Sequence, residues 1–141
     1  MLEELLSHGF GKDSNLNCAE IILYGANEAY NIGLQKQSLR LAAGFGEGMG
    51  VQTTCGAAAG AIMVLSILFV KNKAKESALI KELCREFFSS FQEKAGEIDC
   101  RLLKENQNTN GPDCDSIVLI AASVLDTIYK KHKNKVVPII Y

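Results

Sequence analysis

Five cysteines, Cys18, Cys55, Cys84, Cys100 and Cys114, are the residues of this 141-residue chain best suited to chemistry. Four of them follow a residue type that caps helix N-termini: Asn17, Thr54, Asp99 and Asp113 precede Cys18, Cys55, Cys100 and Cys114. A capping side chain accepts a hydrogen bond from the first turn. The residue after it enters a turn whose N–H groups are unpaired and whose dipole end is positive. A thiolate is stabilised there, with a pKa that can fall to about 3.5–7.5, and the thiolate is the form that attacks disulfides and binds metals. Cys18, Cys55, Cys100 and Cys114 are therefore the candidate catalytic or metal-ligating residues. Cys84 follows Leu83 in an apolar stripe and reads as a packing residue. Cys55 has no acid in its first turn, whereas Asp99, Asp113 and Asp115 flank Cys100 and Cys114. Like charge opposes ionisation, so Cys55 is expected to be the most acidic thiol.

Two chemistries fit such a set. One is thiol/disulfide exchange; with no Cys-x-x-Cys in the chain, pairs must form across the fold. The other is a four-cysteine site for zinc or an iron–sulfur cluster that transfers electrons. The gaps of 37, 45 and 14 residues match no standard spacing, but a site assembled from four helix ends needs none. A helical structural or interaction module with packed thiols is the third reading, and it leaves the capping pattern unexplained. Other motifs are weak. Gly44-Phe45-Gly46-Glu47-Gly48-Met49-Gly50 fails the dinucleotide fingerprint, because Met49 stands where the third glycine belongs. His8 and His132 read as surface or capping residues.

The elements that must position the thiols are helical. Apolar spacing predicts helices over 2–8, 18–31, 35–44, 55–70, 73–95, 100–105 and 114–132. This is an all-α, single-domain bundle of about five main helices plus short ones, with its core over about 5–132. The glycine-rich stretch 44–50 is expected as a loop near the cysteine-bearing N-termini. The backbone at Gly46, Gly48, Gly50 and Gly56 is then a candidate cofactor-binding surface. Gly56 and Gly60 are four apart and share one helix face, where another backbone can come close. With helices alternating up and down, all four capped cysteines converge at one end. The apolar tail 135–141 is expected to cover either this chain's own core or a neighbour in a homo-oligomer.

Composition narrows the function classes. A chain that is 48% hydrophobic is not disordered, and 141 residues bury a core without disulfide staples. Fifteen basic residues against 16 acidic ones give no basic face for nucleic acid. Cys55 to Val70 carries no charge but is shorter than the about 20 residues of a membrane span, so no integral membrane protein is expected. The N-terminus lacks the basic and apolar regions of a secretory signal, which points to the cytoplasm, where thiols stay reduced.

Three segments together resemble the C_GCAxxG_C_C family of redox-active proteins. They are Asn17-Cys18-Ala19-Glu20, Gly44 to Gly50, and Cys55-Gly56-Ala57-Ala58-Ala59-Gly60-Ala61-Ile62-Met63, completed by Cys100 and Cys114. The resemblance covers about residues 5–130. It implies an all-helical fold, a redox role, and signature cysteines at Cys18, Cys55, Cys100 and Cys114. It also implies association with a transporter system, since members are often encoded beside transporter genes. Similar domains joined to electron carriers imply thiol or iron–sulfur chemistry. Glu47 stands where relatives tend to have glycine, and no Leu-x-Gly follows Cys100.

Overall fold

A computed structural model describes residues 1–139; Ile140 and Tyr141, the end of the predicted tail, lie outside it. Seven α-helices run in order: α1 Leu2–Ser7, α2 Cys18–Ala29, α3 Lys36–Leu39, α4 Gly56–Phe69, α5 Ala78–Ala95, α6 Cys100–Gln107 and α7 Cys114–Lys131. Among the described residues there is no strand, only an isolated bridge between Thr54 and Asp99.

The uncharged α4 is the centre of the bundle. Gly56, Ala57, Ala58, Gly60, Ala61, Val64, Leu65, Leu68 and Phe69 are all buried, and α2, α5 and α7 pack around it. A helix apolar on every side is stable in water only when surrounded. No described helix is long and apolar enough to cross a membrane. The closest packing is α2 on α4, where the glycine spacing acts as expected. A Cβ on Gly60 would lie 2.6 Å from the Ala19 carbonyl oxygen. Phe87 and Phe91 of α5 stack 5.6 Å apart, fully buried, against the other side of the core.

The third predicted helix is the main departure. Only Lys36–Leu39 is α-helical; Arg40–Phe45 tightens into a 3-10 helix. Of that stretch only Ala42 is buried and Leu41 is 72% exposed, so no apolar stripe rewards α-helical geometry. The α5 start also moves. Ser77 caps it, its Oγ accepting from Ile80 N at 3.3 Å, and Ala74–Glu76 forms a separate 3-10 turn. The described part of the tail lies on this chain's own core: Val137 N donates to the Leu68 carbonyl at 2.8 Å, and Val136 and Ile139 pack inward.

One buried carboxylate holds α1 in place. Asp126 of α7 accepts from Leu2 N at 3.0 Å, Glu3 N at 2.9 Å and Tyr30 Oη at 2.7 Å. Met1, the N-cap residue of α1, makes no side-chain capping bond, so Asp126 supplies that cap from another helix. Burial, then the bond and the charge of Asp126, push the Tyr30 phenol far above its ordinary range. Its ring stacks on Tyr129 at 4.2 Å.

Candidate functional site

The four cysteines at helix starts meet at one cavity of about 220 Å³. Cys18, Cys55, Cys100 and Cys114 line it together with Asn17, Glu47, Gly56, Lys104 and Gln107; the remaining wall is mostly apolar and includes Leu103, Ile117 and Val118. All five cysteines of the chain are free thiols, and Cys84 lies elsewhere, partly buried on α5. Cys84 is not among the residues that line the cavity.

Local backbone chemistry explains each placement. At α2, Asn17 Oδ1 accepts from Glu20 N at 2.9 Å and Glu20 Oε1 accepts from Asn17 N at 3.0 Å, a reciprocal capping box. Asn17 Nδ2 also donates to the Ala43 carbonyl at 2.9 Å, tying the start of α2 to the 3-10 segment. At α7, Asp113 Oδ1 accepts from Ser116 N at 2.8 Å, a bond that holds the Asp113 carboxyl below its usual range. Asp99 occupies the N-cap position of α6 but makes no capping bond. At α4 the expectation shifts by one residue: Cys55, not Thr54, is the N-cap.

The reason lies in a three-residue pairing. Cys55 N donates to Ile98 O at 2.9 Å and Cys100 N donates to Thr53 O at 2.6 Å, either side of the Thr54–Asp99 bridge. Thr54 and Asp99 stand opposite each other between these two bonds, and Thr54 is held in the bridge one residue before the α4 N-cap. Side chains alternate across such a pairing, so Cys55 and Cys100 share the face opposite Thr54 and Asp99, as diagonal neighbours. The clamp sets the N-termini of α4 and α6 side by side.

The glycine stretch is not an open loop. Glu47, Gly48, Met49, Gly50 and Gln52 all have positive φ, forming left-handed turns that follow the 3-10 segment. Gly48 is buried, and a Cβ there would lie 2.9 Å from Cys100 Cβ. A Cβ on Gly46 would collide with the Asn17 side chain. A Cβ on Gly56 would collide with Cys18 Sγ and lie 2.9 Å from Phe45 O. Gly50 is exposed with open space around it. Of the four glycines named as candidate binding positions, Gly56 alone lines the cavity. The packing at Gly46, Gly48 and Gly56 has a steric cause: only a residue without Cβ lets the turn, α2 and α4 approach the thiols this closely.

The expected order of acidity is overturned. Burial pushes the Cys55 thiol up to about 11, and the neighbouring amides of Ala57 and Ala58 offset only part of this. The central position of α4 is the cause, since Cys55 is only 6% exposed and desolvation disfavours the thiolate. Cys100 is also raised, first by burial and then by Cys18, Cys114 and Glu47, with Lys104 acting in the other direction. Cys84 is raised by burial. Cys114 is the exposed thiol of the set. Gln107 Nε2 donates to its sulfur at 3.4 Å. Cys100 stands within electrostatic reach of Cys18, Cys55 and Cys114, so it is the hub of the array.

Lys104 and Gln107 were not anticipated, although the sequence carries a signal for them. Cys100, Leu103, Lys104 and Gln107 follow i, i+3, i+4, i+7 spacing and form one face of α6, and all four line the cavity. Among the described residues no three His, Cys, Asp or Glu side chains are grouped as a single metal ion requires.

Comparison with curated proteins and with solved structures gives no match. A family model described as "Putative redox-active protein (C_GCAxxG_C_C)" matches residues 16–128, a span that contains all four cavity thiols. The chain belongs to the C_GCAxxG_C_C family.

Proposed function

We propose that the protein carries out thiol/disulfide redox chemistry in the cytoplasm through Cys18, Cys55, Cys100 and Cys114. The observation that carries this reading is the meeting of four helix-start thiols at one cavity. Cys114 is the entry thiol, because it is exposed and its sulfur accepts a hydrogen bond from Gln107. Cys100 is the resolving thiol, because it lines the same cavity and stands within electrostatic reach of Cys114 as well as of Cys18 and Cys55.

The steps balance as follows. The Cys114 thiolate attacks one sulfur of a disulfide substrate, forming a mixed disulfide and releasing the other sulfur as a thiolate, which takes a proton from solvent. The Cys100 thiolate then attacks Cys114 Sγ and releases the first sulfur in the same way. The protein loses two electrons and two protons, and the substrate becomes two thiols. Cys18, which is partly exposed, and the buried Cys55 supply a second dithiol to which the oxidation passes by the same exchange.

Anaerobic purification followed by assay of iron, sulfide, zinc and free thiols tests the reading. The expected result is no stoichiometric metal and reversible loss of two, then four, thiols on mild oxidation. Stoichiometric iron and sulfide with a visible chromophore would establish an electron-transfer cluster in place of dithiol chemistry. Five thiols that stay reduced and metal-free would leave the structural-module reading.

A further inference from the structure

Two cavity charges have no role in the exchange steps above. Lys104 projects from α6 and Glu47 from the left-handed turn, and both line the thiol cavity. Among the described residues neither joins an ion pair; those present link Glu86 to Lys131 and His132, and Glu4 to the N-terminus. Both charges act on Cys100, with opposite sign. Glu47 lines the cavity from a left-handed backbone conformation, φ 53°, which an L-residue adopts at a cost. The rest of the wall is largely apolar, as at Leu103 and Ile117, and the volume of about 220 Å³ is below that of a drug-sized ligand site.

A cation and an anion beside reactive sulfurs complement a ligand that carries both charges beside a disulfide. Resting on the thiol/disulfide reading, we propose that the cavity takes a low-molecular-weight disulfide bearing α-amino-acid groups. Lys104 binds its carboxylate and Glu47 its ammonium group. Cys114 attacks the near sulfur, the S–S bond breaks, and one small thiol leaves. Cys100 then displaces the second small thiol as the protein disulfide closes. One small disulfide and one protein dithiol give two small thiols and one protein disulfide. A protein disulfide, by contrast, would present its sulfurs without both free charges.

The test uses the full-length reduced protein and four probes: cystine, uncharged 2-hydroxyethyl disulfide, dicationic cystamine and dianionic dithiodiglycolate. Rates of loss of the cavity thiols are divided by the rate of each probe with dithiothreitol, which removes intrinsic reactivity. Two partly exposed charge contacts predict a cystine preference of about tenfold over the uncharged probe. Lys104→Gln and Glu47→Gln, each checked for retained helical signal, should each bring that ratio towards one. A wild-type ratio near one, or equal preference for cystamine or dithiodiglycolate, overturns the amino-acid disulfide while the thiol chemistry stands. No loss of cavity thiols with any probe overturns the thiol chemistry and this proposal with it.

Discussion

The thiol cavity and the Asp126 node are two places where polar chemistry enters an apolar bundle, and they are built in opposite ways. Both draw on α7, with Cys114 at its start and Asp126 twelve residues on, about 18 Å along the axis. At the node every group is matched: one carboxylate accepts from two backbone amides and one phenol, whose ring stacks on that of Tyr129. At the cavity the groups are left with room. Four thiols are unpaired, two charges have no ion-pair partner, and glycines hold the surrounding backbone close. A closed polar node fixes a helix, whereas an open one can change its bonding without unfolding the bundle.

The contrast predicts that node variants lose stability and cavity variants lose chemistry. Asp126→Ala leaves the Tyr30 hydroxyl and two α1 amides without their partner. It should cost about 4 kcal/mol of unfolding free energy in denaturant titration, with Asp126→Asn costing less. Cys100→Ser removes the resolving thiol and should lower disulfide exchange by about a hundredfold with little change in melting temperature. Cys84→Ser, remote from the cavity, serves as the control and should leave the exchange rate unchanged.

The Cys55 thiol gives the comparison a pH signature. Its folded value of about 11 lies above the ordinary 9.0, so between these values the unfolded chain has released a proton that the native state retains. Unfolding then releases a proton, and stability falls as pH rises from about 9 to 11, by on the order of 2 kcal/mol. Stability below pH 9 is unaffected by this group. Cys55→Ala should flatten that part of the stability–pH curve relative to wild type. A smaller effect is expected at Gly56. Gly56→Ala places a methyl group against Cys18 Sγ and Phe45 O, and should slow exchange by about tenfold while costing about 1–2 kcal/mol.

The parts of this design legible in the sequence are those set by local chemistry. Asn17 and Asp113 announce helix starts because capping acts over three residues, and the uncharged run of α4 announces a central helix. The Gly56–Gly60 spacing likewise gives away the close approach of α2. What could not be read depends on partners distant in sequence. The pairing of Thr53 to Cys55 with Ile98 to Cys100 is too short to leave a period-2 pattern, yet it moves the α4 cap from Thr54 to Cys55. The acidity of Cys55 was misread because dipole and neighbouring charge are local, while desolvation depends on the whole bundle. Asp126 left a fainter trace, a lone acid between Leu125 and Ile128 on the inward side of α7; its three donors come from α1 and from Tyr30, the residue that ends α2.

The central claim is that the chain's five thiols divide into a working four and a packed one, with Cys114 and Cys100 acting first. Reacting the reduced protein with one equivalent of cystine, trapping free thiols by alkylation and mapping disulfides by mass spectrometry tests it directly. The account predicts a Cys100–Cys114 bond at the earliest times, with a Cys18–Cys55 bond following as the oxidation passes on, and Cys84 alkylated throughout. A disulfide that includes Cys84, or five alkylated thiols after oxidation, would contradict it.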